Sequence, residues 1–96
     1  MPKRSKKGKS NHDKAVSRSA EWYKGQGFKV KADIKGWKKP KTIGGYIPDL
    51  IAKKGKKEIV LEVETPQTVE KDHDQWQAFK EYADRKRQRE ARKKIV

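Results

Sequence analysis

Cysteine is missing from the chain, which excludes disulfide scaffolds, cysteine-built zinc fingers and thiol chemistry. No apolar run approaches the ~20 residues that a membrane-crossing helix needs, and the N-terminus has no signal-peptide apolar region. The expectation is a soluble, cytoplasmic or otherwise intracellular protein with no membrane partner. Apolar residues make up only 31% of the 96 positions and aromatics 8%, so the core must be thin. A single domain of this size buries only ~60–65% of the surface its unfolded chain exposes. A partner, a metal ion or self-association would then supply part of the missing stability. There is no phosphate-cradling glycine loop, no Ser-His-Asp order and no haem or nicotinamide motif, so no small-molecule cofactor is expected.

Charge is what the chain has in plenty. Lys and Arg number 27 against 13 Asp and Glu, a formal net charge of +14, for which polyanions are the natural counterpart. The layout is uneven. Met1 to Lys57 holds 18 basic and 4 acidic residues, Glu58 to Asp84 holds 2 and 8, and Arg85 to Val96 holds 7 and 1. An acidic block inside a basic protein is either a solvated helix face or a site that holds a divalent cation beside phosphate.

Local patterns predict a small α/β plan. Residues 1–11 carry five basic side chains and almost nothing apolar, and read as a disordered basic arm. A helix follows from about Lys14 to Lys24, capped by Asn11 or Asp13, with Val16, Ala20 and Tyr23 on one face. Phe28 to Ile34 alternates apolar and polar residues as a half-buried strand. Gly36 to Gly45 is loop chemistry. Tyr46 to Ala52 reads as a second strand, in which Pro48 demands an edge or a bulge. Lys54 to Lys57 forms a hairpin turn, and Glu58 to Glu64 a third strand. A second helix runs from about Glu70 or Asp72 toward Arg89, with Trp76, Phe79 and Ala83 on one face. The nearly all-polar stretch 90–96 reads as a basic tail or an extension of that helix. Trp22 and Trp76 are expected in the core. His12 and His73 lack metal-ligand spacing, and His73 is expected to be an exposed helix residue.

The hairpin brings carboxylates together. Paired positions sum to 111, so Asp49 faces Glu62, and strand alternation puts Glu62 and Glu64 on one side with it. Facing like charges destabilise a ribbon unless a divalent cation offsets them. The alternative is an exposed strand face whose acids point into water.

Ile47-Pro48-Asp49-Leu50-Ile51, followed after twelve intervening residues by Glu62-Val63-Glu64, resembles the PD-(D/E)XK nuclease superfamily, which includes restriction endonucleases and archaeal Holliday-junction resolvases. The likeness runs from about Ala15 to Ala83. It takes in Glu21 on the first helix, Gly27-Phe28 before the first strand, and Gln75 with Phe79 and Tyr82 on the second helix. The resemblance implies a minimal restriction-endonuclease-like αβββα core over 12–89, with a small mixed or antiparallel sheet flanked by helices. It also implies Mg²⁺, with Mn²⁺ able to substitute, held by Asp49, Glu62 and the Val63 backbone carbonyl and completed by Glu21. Gln75 would orient the site. Glu64 stands where most members place lysine, as in some restriction enzymes, and would serve as general base or further ligand. The strand that relatives place after the second helix has no counterpart in this reading.

The activity so implied is metal-dependent DNA endonuclease, restriction-like or structure-specific, acting as a homodimer. Phosphate contacts would come from Lys3, Arg4, Lys6, Lys7 and Lys9 in the arm, Lys38, Lys39 and Lys41 in the loop, and Lys54, Lys56 and Lys57 at the hairpin. The competing reading is a non-catalytic basic nucleic-acid-binding protein, either a degenerate nuclease fold or a chromatin- or RNA-associated protein.

Overall fold

A computed structural model describes residues 6–66, 68 and 73–96. Helix α1 (Lys6–Gly25) leads to strands β1 (Lys29–Ala32), β2 (Leu50–Lys54) and β3 (Lys57–Glu64), then helix α2 (His73–Asp84) and strand β4 (Arg89–Ile95). The four strands lie in sequence order across one sheet. β1, β2 and β3 form an antiparallel meander, and β4 returns parallel to β3 through the α2 crossover. The fold is α/β with a mixed sheet between two helices, as expected of a small restriction-endonuclease-like core.

Alternation along the strands sends each residue set to its own helix. Leu50, Ala52, Ile59, Leu61 and Val63 pack beneath Val16, Ala20 and Tyr23 of α1. On the other face Ile51 and Val60 meet Phe79 of α2, with Ile43 from the long loop closing that cluster. α1 stops at a glycine pair. Gly27 takes a φ of 90°, and the Phe28 N–H turns back to donate to the Tyr23 carbonyl at 3.0 Å.

Both chain ends depart from expectation. Residues 6–11 are helical rather than a disordered arm, so Asn11 and Asp13 lie inside α1 instead of capping it. The expected cap chemistry was outweighed by a tertiary contact from His12 to the start of β2, one turn ahead of the apolar stripe. Lys3 and Arg4 fall outside the described residues, and so do Glu70 and Asp72, the expected start of the second helix. At the other end, 90–96 is neither tail nor helix extension but most of β4, and the fold takes in 6–95 rather than 12–89. Few apolar residues mark that strand because its inward positions bury aliphatic stems and cations against rings. Arg89 lies over Tyr82 at 3.8 Å and Lys93 over Trp76 at 4.6 Å. Trp22 also departs from its expected core position and is 58% exposed.

One glycine in the loop is irreplaceable for a steric reason. Gly44 has a φ of 60°, and a Cβ there would stand 2.9 Å from the Cβ of Ala78 on α2. Gly44→Ala is therefore expected to cost about 1–3 kcal/mol, through left-handed strain plus overpacking. Thermal unfolding should drop by several degrees, whereas Gly45→Ala, with open space around it, should show only the backbone part of the loss.

Candidate active site

Strand β2 begins only after Pro48, which has no N–H for a ladder. From Leu50↔Leu61 to Lys54↔Lys57 the register follows the expected sum of 111. At Asp49 and Glu62 the ladder stops and side chains replace it. The Asp49 N–H donates to Glu62 Oε1 at 3.0 Å, and the Val63 N–H donates to Asp49 Oδ2 at 2.9 Å. Each carboxylate thereby satisfies the other strand's backbone. Gln75, near the start of α2, donates from Nε2 to Glu62 Oε2 at 2.5 Å. Glu64 Oε2 accepts from the Thr68 hydroxyl at 2.7 Å. Glu62 and Glu64 are 2% and 3% exposed. These groups line an open pocket of about 200 Å³ at one end of β2 and β3, and His12 forms its remaining wall.

His12 was the residue that sequence reasoning passed over. Its Nε2 lies 3.3 Å from Asp49 Oδ1, and its Nδ1 lies 3.0 Å from Asp13 Oδ1. A signal was present: His12 is four residues before Val16, so the stripe of Val16 and Ala20 continues back through it. Glu21 is not brought to the pocket. It is exposed on α1, nine residues beyond His12, which is half a revolution round the helix and ~13 Å along it. The shell expected to include Glu21 therefore lacks it, and His12 occupies the α1 side.

The pocket's electrostatics follow from burial and crowding. Burial pushes the Glu62 carboxyl up, and the neighbouring charge on Asp49 adds to this, to a pKa of about 9. The hydrogen bond to Asp49 raises His12 from 6.5 to about 9, against the opposing effect of burial. Both shifts act on stability in the same direction. Unfolded Glu62 loses its proton near 4.5 while the fold retains it, so stability falls as pH climbs from about 4.5 toward 9. The His12 contribution is full below 6.5 and is lost as pH rises through 9. In EDTA, the urea midpoint should decline steadily between those limits. Glu62→Gln should flatten the curve; an unchanged slope would refute the burial of a protonated carboxyl.

The donor set suits a hard divalent cation. Asp49, Glu62, Glu64 and the Val63 carbonyl offer oxygen alone, and the carboxylates repel one another unless neutralised. Among the described residues, no three His, Cys, Asp or Glu side chains already stand together as a ready-made ligand group. His73 is exposed at the start of α2, as expected.

The basic residues occupy several parts of the surface. Lys38 and Lys41 in the loop flank the face that bears α2. Lys39 is exposed in the same loop, and Lys56 is exposed at the hairpin tip. Lys54 turns to the other face, donating to the Gln26 carbonyl at 2.8 Å. Lys57 pairs with Lys54 in the hairpin, at the end of the ribbon away from Asp49. Lys6, Lys7 and Lys9 belong to the first turns of α1. No helix among the described residues is long and apolar enough to cross a membrane.

Comparison with known proteins identifies a family. A family model described as REase_AHJR-like matches residues 4–88, most of the chain. No curated protein and no solved structure matches it. The matched span covers α1, the antiparallel meander with its carboxylate pocket, and α2. The chain belongs to the AHJR-like family of restriction-endonuclease-like, PD-(D/E)XK proteins.

Proposed function

We propose that this protein is a metal-dependent endonuclease that hydrolyses phosphodiester bonds in DNA, either restriction-like or selective for DNA structure. The observation that carries the reading is the reciprocal pair at the sheet end, where Asp49 and Glu62 are locked beside each other by backbone hydrogen bonds. Two carboxylates held this close cannot both stay ionised without a cation, and a nuclease of this family has a use for one.

Asp49, Glu62 and the Val63 carbonyl would hold Mg²⁺, or Mn²⁺ in its place. When bound, such an ion polarises the phosphate and makes an attacking water more acidic. The chain's own residues supply the rest. Gln75 fixes the orientation of Glu62 through its amide, and its location on α2 ties that orientation to the packing of Phe79. Glu64 is the carboxylate best placed to take a proton from water or to add a further ligand, and Thr68 steadies its outer oxygen. His12 sets a positive partner against Asp49 from the α1 side. The +14 net charge draws DNA to the surface. A homodimer would present two such pockets to the two strands of a duplex.

The test is a cleavage assay on supercoiled plasmid and on branched DNA, with Mg²⁺, Mn²⁺ or EDTA. Cutting with either metal and none in EDTA is the expected result. Tight DNA binding with no cutting under any of these conditions would overturn the catalytic reading in favour of a binding-only member of the family.

A further inference from the structure

A second pocket, of about 400 Å³, lies on the α2 side of the sheet over its β1–β2 half, beyond the area α2 covers. Five lysines from three chain segments converge on it: Lys29 and Lys31 of β1, Lys53 of β2, and Lys38 and Lys41 of the loop. Strand register accounts for the first three. Lys29 pairs with Lys53 and Lys31 with Ile51, so all project from the face opposite Val30 and Ala52. The loop is fastened in place at two points. The Ala32 N–H donates to the Lys38 carbonyl at 2.9 Å, and Lys41 Nζ lies 3.3 Å from Glu58.

Among the described residues, only Lys41 of the five has an acidic partner, Glu58. Glu58 is the sole acid lining the pocket, and it is already engaged by Arg89 and Lys41. Among the described residues, Lys29, Lys31, Lys38 and Lys53 form no salt bridge. Convergent, unpaired ammonium groups in a concave surface repel one another, and a polyanion that displaces its own counterions relieves this. Lys53 lies four residues along β2 from Asp49, a span of ~13 Å at strand rise. Along one strand of a duplex, with one phosphate per ~3.4 Å of axis, that span is about four nucleotides.

We propose that this lysine pocket is a backbone-phosphate subsite for duplex DNA, placed so that a substrate must continue about four nucleotides to one side of the bond cut in the carboxylate pocket. The offset rests on the nuclease reading above; the affinity of the pocket for duplex DNA does not.

The experiment measures binding of a short duplex of fixed sequence by fluorescence anisotropy in EDTA, over a series of salt concentrations. The joint substitution Lys29→Gln, Lys31→Gln and Lys53→Gln should weaken binding at least tenfold at low salt. It should also make the log–log salt slope shallower by about 2.7, at ~0.9 per lost phosphate contact. Arginine at the same three positions should restore both. A control with the same net charge, Lys24→Gln, Lys86→Gln and Lys94→Gln, should change the slope by less than one contact, ~0.9. A wild-type slope in the pocket variant, or an equal loss in the control, would overturn the subsite. Duplexes shortened stepwise on each side of the mapped cut provide the second readout. Cleavage should fail on one side once fewer than about four nucleotides remain there, and equal tolerance on both sides would overturn the offset. If the wild type binds with the lysine-dependent slope but never cuts, the nuclease reading fails and the subsite stands.

Discussion

Asp49→Asn and Glu62→Gln are each expected to lower DNA cleavage by about 10³-fold or more, with DNA affinity unchanged or improved. Both replacements keep shape and leave an amide oxygen able to accept the backbone N–H that the carboxylate accepts now. The fold should survive, and the loss can then be assigned to charge. Affinity should hold because neither replacement adds a negative group to a surface that must meet phosphate, and Asp49→Asn removes one. The measurement is single-turnover cleavage with Mg²⁺ beside binding in EDTA. Retained cleavage in both variants would remove these residues from the site. Gln75→Ala, which frees Glu62 without changing its charge, should cost less, about 10–100-fold.

The second large effect concerns stability. Glu58 is 3% exposed in β3 and accepts from the Tyr82 hydroxyl at 2.8 Å and from Arg89 Nε at 3.1 Å. Lys41 joins the cluster from the loop, contacting both Glu58 and Tyr82. Burial pushes the Glu58 carboxyl up, but Tyr82, Lys41 and Arg89 together bring it below the usual range. Glu58→Ala removes the one acid and leaves Arg89 and the Tyr82 hydroxyl without it, which should cost about 3 kcal/mol or more. For a domain of this size that is a fall of about 12 °C or more in Tm. Calorimetry should also show Glu58→Gln losing less, since the amide oxygen still accepts from Tyr82. A loss below 1 kcal/mol for Glu58→Ala would mean that the cluster is solvated and dispensable.

The same cluster explains why the C-terminal strand was hard to read. Strand prediction depends on alternating apolar residues, and β4 reads Arg-Glu-Ala-Arg-Lys-Lys-Ile. Its inward positions are Arg89, Ala91 and Lys93, whose burial depends on Glu58, Tyr82 and Trp76 elsewhere in the chain. No local pattern contains that information. The meander was legible because its register is set by one glycine turn and by strict alternation, and the opposition of Asp49 and Glu62 followed by arithmetic. On α1 the apolar stripe was legible, but the functional position on it was not. The family pattern pointed to Glu21, whereas helix geometry carries His12 to Asp49 and leaves Glu21 on the far side of the helix. The lysines of the second pocket are scattered over three segments and became a group only once β1 had paired with β2.

The exchange of hydrogen bonds at the sheet end also gives the pocket its own reporters. The Asp49 and Val63 amides are held by the side chains proposed to receive the cation, not by strand partners. Anything that draws those oxygens away must loosen these two amides, while the Leu50–Lys54 ladder next to them stays closed. Hydrogen exchange at two backbone positions can thus register occupancy of the site in protein that is performing no chemistry at all.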